Sequence, residues 1–141
     1  AKVIYYSASG APAQEGYEQV DFETLLTQSD IISVHAPLNE HTEGLINSKA
    51  FEKMKSSCIF LNLGRGPIVD EQALYDALVR NQIAAAGVDV LCKEPMSADN
   101  PLLKIKDSKR LLITPHIAWA SVEARTHLME IIHGQVKDFF A

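Results

Sequence analysis

The sequence predicts an α/β protein built on a doubly wound parallel sheet. Two observations carry that prediction. Short β-prone apolar runs alternate with segments of helical periodicity, which calls for crossover connections and parallel strands. Each strand-like run also ends abruptly in proline, glycine or a polar residue, as strands do where they deliver a site at their carboxyl ends. The 141 residues suffice for one modest domain.

The elements follow in order. Val3-Ile4-Tyr5-Tyr6 reads as a buried strand, followed by a small-residue loop from Ser7 to Gly16. Glu18-Gln19-Val20 makes a short second strand, and Asp21 caps a helix that holds Thr24 to Gln28. Ile31 to Val34 is strongly β-prone and is stopped by Pro37. Asn47 or Ser48 caps a short helix that ends near Met54. Cys58 to Asn62 is the next strand and runs into Gly64-Arg65-Gly66-Pro67, a turn that glycine-rich backbone makes easily. Asp70 caps a helix with Ala73, Leu74, Ala77 and Leu78 on one face. Ala84 to Val90 is a small-residue strand, and residues 92–109 form a polar connection punctuated by proline. Leu111 to Ile113 is the last strand, broken by Pro115. A long helix from about Ser121 to Phe139 places Leu128, Ile131, Ile132, Val136 and Phe139 on one side.

Composition narrows the partners. Hydrophobic residues make up 47% and charged residues 22%, the balance of an ordinary globular chain. The net charge of −5 argues against nucleic acid and against an anionic membrane as main partner. No apolar run approaches the length of a membrane span, and the first residues have no signal-peptide pattern. Cys58 and Cys92 do not make a disulfide scaffold, so reduced thiols and a cytoplasmic setting are expected. No His/Cys cluster has zinc spacing, so no metal site is expected. His127 and His133 on the last helix read as surface or interface residues, and His41 as loop-exposed.

The strand ends carry the chemistry. After successive strands stand Ser7, then His35-Ala36-Pro37, then Gly64-Arg65-Gly66, then Asp89 and Glu94, then His116. A histidine held by a carboxylate is a tuned proton donor. An arginine on a glycine-flanked turn can offer a two-pronged contact to a carboxylate. Together Arg65, Glu94 and His116 suit redox chemistry on a 2-oxo or 2-hydroxy acid. Each taken alone has a plainer reading: a surface arginine over a turn, a solvated loop acid, a histidine leading into a helix. Spacing does not choose between them.

The wording of the motifs does. Asn62-Leu63-Gly64-Arg65-Gly66-Pro67-Ile68-Val69-Asp70 resembles the N-x-G-R-G-x-x-V-D signature of the D-isomer-specific 2-hydroxyacid dehydrogenases. Asp89-Val90 with Glu94-Pro95 resembles their D-V-x-x-x-E-P segment, and Thr114-Pro115-His116-Ile117-Ala118 their T-P-H-I-[GA] segment. His35-Ala36-Pro37-Leu38 with Thr42, Leu45 and Ile46 is similar to their H-x-P-L-x-x-x-T-x-x-L-I segment. The resemblance implies a Rossmann-type NAD-binding domain and hydride transfer between NAD(H) and a small D-2-hydroxy acid or 2-oxo acid. It implies that Arg65 binds the substrate carboxylate and carbonyl, that His116 donates and retrieves the proton, and that Glu94 pairs with His116. Asp89 would contact the nicotinamide carboxamide. Ala36, Pro37, Thr42, Leu63 and Gly64 would line the cofactor largely through backbone atoms, with Arg65, His116 and Ala118 beside it, and Ser7 would read the ribose. Trp119 looks most like the glycerate dehydrogenase (hydroxypyruvate reductase) branch, or is a hydrophobic staple for the long helix. The family also implies a homodimer formed through the nucleotide-binding domain. It includes NAD-binding corepressors as well, so a non-catalytic, NAD-sensing interaction protein is the alternative.

Two departures shape the expectation. No G-x-G-x-x-G loop occurs in the chain, although it should open such a nucleotide unit within ~30 residues. Residues 1–141 are therefore expected to be an incomplete NAD-binding domain lacking its first strand, phosphate loop and first helix, with 118–141 leading back to a substrate domain outside this chain. Alone it is expected to turn over little. Second, Ser7 stands where an acid usually selects NAD by pairing with the ribose and repelling a 2′-phosphate. No Lys or Arg occurs between Val3 and Ser48 to welcome that phosphate, so NAD is favoured.

Overall fold

The computed structural model describes residues 1–140. Strands β1 (Ile4–Tyr5) and β2 (Glu18–Gln19) pair in parallel as a small sheet of their own. Helix α1 (Phe22–Gln28) follows, its first turn closed by Asp21, whose carboxylate accepts the Thr24 N–H at 2.7 Å. Strands β3 (Ile31–Val34), β4 (Ile59–Asn62), β5 (Ala85–Val88) and β6 (Leu111–Ile113) form a second, fully parallel sheet in that order. Helix α2 (Ser48–Lys53) joins β3 to β4, and α3 (Glu71–Val79) joins β4 to β5. A 3-10 helix at Pro101–Lys104 lies between β5 and β6, and α4 (Val122–Phe139) follows β6.

The α/β parallel class is therefore as the sequence predicts, with the sheet in two pieces. Local details differ at the edges. The expected strand over 84–90 pairs only across Ala85–Val88, and the expected polar connection contains the 3-10 helix, started by the side-chain cap of Asn100. Of the two candidate caps of α2, Asn47 is the one used: its side-chain oxygen accepts the Lys49 and Ala50 N–H groups. Asp70 caps α3 in the same way through Gln72 and Ala73.

Topology explains which face of the larger sheet is covered. Parallel crossovers are right-handed, and the three connections from β3 to β6 all step in the same direction. They therefore stack α2, α3 and the 3-10 helix on one face. Ile32, Val34, Phe60, Ala86 and Val88 point into that layer and are buried, meeting Phe51, Leu74, Leu78 and Leu102. The larger of these side chains each contribute about 1.5–3 kcal/mol by leaving water. Phe51 and Phe60 meet edge to face, with ring centroids 5.4 Å apart. The alternate residues point the other way, and Ile31, Ile59 and Leu112 are exposed. Helix α4 buries none of its residues, so its apolar side, legible in the sequence, is not core here. Among the described residues no helix is long and apolar enough to cross a membrane, and no group of His, Cys, Asp and Glu could hold a metal ion. Both cysteines are free.

Candidate active site

The register of the parallel sheet builds the site. Val34 lies beside Asn62, Asn62 beside Val88, and Val88 beside Ile113. The four carboxyl ends are thus level, one strand spacing apart, ~4.8 Å. The loops that leave them carry 35–37, 63–66, 89–94 and 114–118 along one lip.

The turn that presents Arg65 is held from below. Asn62, buried at the end of β4, accepts the Gly64 N–H and donates to the Arg65 carbonyl oxygen, both at 3.2 Å. Gly64 packs so near β3 that a Cβ there would sit 3.1 Å from the Ala36 carbonyl oxygen. Gly66 is tighter still: a Cβ would overlap the backbone of Leu91 and Cys92. Arg65 itself is exposed and donates through Nη1 to the Gly64 carbonyl oxygen at 2.9 Å. It joins no ion pair among the described residues, so its outer guanidinium edge is open to a ligand.

The turn that presents His116 is built on Asp89. One carboxylate oxygen accepts the Thr114 hydroxyl at 2.5 Å and the Ile117 N–H at 2.9 Å, and the other accepts the Ala118 N–H at 2.8 Å. The His116 N–H meets the Asp89 carbonyl oxygen at 2.9 Å. These bonds hold His116 at φ 57°, in the left-handed region that a side-chain-bearing residue seldom adopts. Burial works to raise the Asp89 carboxyl, but the Thr114, Ala118 and Ile117 hydrogen bonds and the nearby His116 outweigh it and hold it below the usual aspartate value.

His116 Nδ1 lies 2.9 Å from Glu94 Oε2. The other Glu94 oxygen accepts the Leu91 N–H at 2.9 Å. The His116 contact, then the Leu91 N–H, hold the Glu94 carboxyl below its ordinary value. With Nδ1 facing the acid, Nε2 is the ring nitrogen left without a partner among the described residues. The Trp119 indole N–H donates to the His116 carbonyl oxygen at 3.0 Å while its ring remains exposed. It braces the turn and does not serve as a buried staple.

The remaining residues named from the sequence fall into two groups. Ala36, Pro37, Leu63 and Ala118 stand on the lip, with Leu63, Pro37 and Ala118 exposed. Thr42 is buried, and its hydroxyl donates to the Pro37 carbonyl oxygen at 2.6 Å and accepts the Asn39 N–H at 2.9 Å, so it shapes the 37–42 loop from inside. Ser7 follows β1 on the small sheet, its hydroxyl 3.0 Å from that of Ser9. A shallow groove of about 790 Å³ runs along α4 from Trp119 to His133. Asn62 and Thr114 are structural members of the site that sequence reasoning gave no role. The available signal for Asn62 was a single amide closing an apolar strand.

Comparison with known proteins identifies the family and the fold. Residues 1–118 match the family model described as D-isomer specific 2-hydroxyacid dehydrogenase, NAD binding domain. The chain is 45% identical over 140 residues to a hydroxypyruvate reductase of Blautia hydrogenotrophica, covering 98% of this chain and 42% of that protein. The chain thus spans less than half the length of this curated relative. Among solved structures, the D-lactate dehydrogenase of Lactobacillus jensenii with NAD+ superposes with a TM-score of 0.80 at 36% identity, over 93% of this chain and 43% of that one. An acyclic imino acid reductase in complex with NADPH and D-Arg superposes with a TM-score of 0.84 at 36% identity, over 99% and 43%. With its motifs on one lip and this likeness along nearly all its length, the chain belongs to the D-isomer-specific 2-hydroxyacid dehydrogenases, as a member of their NAD-binding domain family.

Proposed function

We propose that the protein containing this chain transfers a hydride between NAD(H) and a small D-2-hydroxy acid or 2-oxo acid, of the glycerate/hydroxypyruvate kind. The observation that carries the reading is the His116–Glu94 pair at 2.9 Å, on turns that leave the same lip of level strand ends as the turn of Arg65. The residues present suit a nicotinamide. The tight approach of Gly64 to the Ala36 carbonyl oxygen keeps the lip at that point free of side chains, leaving backbone and small residues to face a flat ring. Ala36, Pro37, Leu63 and Gly64 would line it, and Ser7 would meet the ribose. Asp89, already bonded to three groups, acts chiefly on the turn and would offer the carboxamide what capacity remains on Oδ2. The bound cofactor supplies the hydride.

Arg65 takes the substrate carboxylate in a two-pronged contact and sets its carbonyl toward His116. His116 gives a proton from Nε2 to the carbonyl oxygen as it gains charge, and takes it back in the oxidation. Glu94 holds the ring through Nδ1 and so turns Nε2 toward the substrate. NAD is favoured over NADP because Lys2, the cation nearest Ser7 in sequence, is engaged by Glu18 at 2.7 Å. Residues 1–141 act as the nicotinamide side of an NAD-binding domain whose phosphate loop, and a substrate domain reached through α4, lie in other parts of the protein. The missing G-x-G-x-x-G loop and the 42% coverage of the hydroxypyruvate reductase support this division. The family resemblance favours a homodimer through this domain, and the two free cysteines favour a cytoplasmic setting. The relatives described above are reductases and a dehydrogenase, which favours the enzyme over an NAD-sensing interaction protein.

The test is NADH oxidation by the full-length protein against a panel of 2-oxo acids led by hydroxypyruvate, with His116→Ala alongside. Turnover that vanishes in the variant supports the reading and ranks the substrates. NADH binding without turnover of any 2-oxo acid would move the assignment to the interaction protein.

A further inference from the structure

Glu71 stands in the first turn of α3, outside the set discussed above. Its carboxylate is shared between two donors. Oε1 accepts the Cys92 N–H at 2.8 Å, and Oε2 accepts the Asn100 side-chain N–H at 2.9 Å. Asn100 is buried, and its own oxygen accepts the Leu102 N–H at 2.9 Å, which starts the 3-10 helix whose Leu102 is sunk in the core. One carboxylate thus ties both ends of the 92–100 excursion to α3.

That excursion carries Glu94. Cys92 to Pro95 are exposed and have little apolar contact of their own, so without the tie the segment would open cheaply. Two further contacts set where the tied loop lies. The backbone at Leu91 and Cys92 packs directly on Gly66, beside Arg65. Cys92 Sγ turns inward to the Val69 carbonyl oxygen at 3.7 Å. Burial of the sulfur, then the Glu71 carboxylate, push that thiol up to about 11, and its inward contact makes Cys92 an anchor for the loop.

We infer that Glu71 and Asn100 form a latch that seats the 91–94 loop against the Arg65 turn and thereby positions Glu94 on His116. Glu71 is a positioning residue and touches no substrate. The inference deepens the proposed function and rests on its reading of Glu94. Both partners of Glu71 are N–H donors, so the latch needs two acceptors on one side chain, which a carboxylate offers and an amide does not.

Donor polarity supplies the experiment. Glu71→Gln keeps the volume but turns an NH2 toward Asn100 or Cys92. Asn100→Asp sets two carboxylates against each other. The double variant restores every bond with the contact between the two side chains reversed. The new amide at position 71 would accept from the Cys92 N–H and donate to the new carboxylate at position 100, which still accepts the Leu102 N–H. Each single variant is expected to lower kcat of the full-length protein by up to about a hundredfold, the scale of a small misplacement, with NADH affinity unchanged. The double variant is expected to recover most of it. In parallel, the Glu94 carboxyl titration, followed by carbon-13 NMR in the full-length protein, should rise toward the ordinary glutamate value in the singles and return in the double. A Glu71→Gln protein with wild-type kcat and Glu94 titration would overturn the latch. So would a double variant no better than the singles, whatever their stability. If Glu94→Gln leaves kcat unmoved, the catalytic reading fails instead, and the Glu94 titration alone decides the latch.

Discussion

Arg110 and Arg65 stand at opposite ends of one parallel sheet, and their guanidiniums are used in opposite ways. Arg110, just before β6, donates through Nε to the Ala84 carbonyl oxygen at 2.7 Å and through Nη1 to Asn81 Oδ1 at 2.8 Å. Its Nη2 reaches the carbonyl oxygens of Leu78 at 2.6 Å and Ile83 at 3.2 Å. It closes the carboxyl end of α3 and the approach to β5, sharing the Leu78 carbonyl with the Asn81 N–H and supplying a donor to the Ile83 and Ala84 carbonyls. Arg65, just after β4, donates only to Gly64 within the described residues. The same side chain is a structural clamp where all three of its nitrogens are engaged, and is open at its outer edge where they are not. What decides between them is the surrounding backbone: a helix end and strand starts present carbonyls to Arg110, while the Asn62-bound turn lifts Arg65 clear of the sheet.

The contrast can be tested from its strongest consequence downward. His116→Ala in the full-length protein should reduce kcat for 2-oxo acid reduction, per folded molecule, by ~10²–10⁴-fold, with little change in NADH affinity. Wild-type turnover would remove His116 from the chemistry. Arg65→Lys should cost about ten- to hundredfold in kcat/KM, the worth of a charge-assisted two-pronged contact that an ammonium cannot reproduce. A wild-type value there would mean that the open guanidinium edge meets no carboxylate. Arg110→Met should do the reverse of both. It should lower stability by about 1–2 kcal/mol, because half-buried carbonyls lose their donors, while kcat per folded molecule stays put. Denaturant melts and steady-state rates measured on one preparation would show whether the two ends separate as described.

The smallest effect concerns acid stability. The folded state holds the Glu94 carboxyl below its ordinary value of 4.5 through the His116 contact and then the Leu91 N–H. A depressed carboxyl stabilises the fold above the unfolded value and loses that contribution as pH falls through the folded one. Glu94→Gln should therefore flatten the stability-versus-pH curve below about pH 4.5 and leave its slope near neutrality unchanged. The group is partly exposed, so the change is modest. An acid limb identical to wild type would show that the His116–Glu94 contact is not kept in solution.

How much of this was legible in the chain differs by residue. The caps Asp21 and Asp70 and the strand centres were legible because local chemistry decides them: a side-chain oxygen meets an orphan N–H three residues on, and apolar runs seek cover. Arg65, Glu94 and His116 were legible as motif words on strand ends. Glu71 was not, since an acid in a first helical turn looks like an ordinary dipole-complementing residue. Only the fold brings Cys92 and Asn100, 21 and 29 positions onward, to its two oxygens. Asp89 shows the same limit: its motif implied contact with a ligand, and its observed bonds are to the turn that aims His116.

The amino-acid sequence by itself determined the α/β alternation, the order of strands and helices, the family, and the residue types available at each strand end. The elements follow from periodicity, capping and spacing, which act over a few residues, and the family from the wording of the four motifs. The tertiary structure alone decided that β1 and β2 pair apart from the other four strands, that one face of the larger sheet is covered and the other bare, and that α4 buries nothing. It also decided which carboxylates serve structure. Such outcomes depend on where right-handed crossovers place their helices and on which distant donors a folded backbone brings within ~3 Å of an oxygen, and no local pattern encodes that distance.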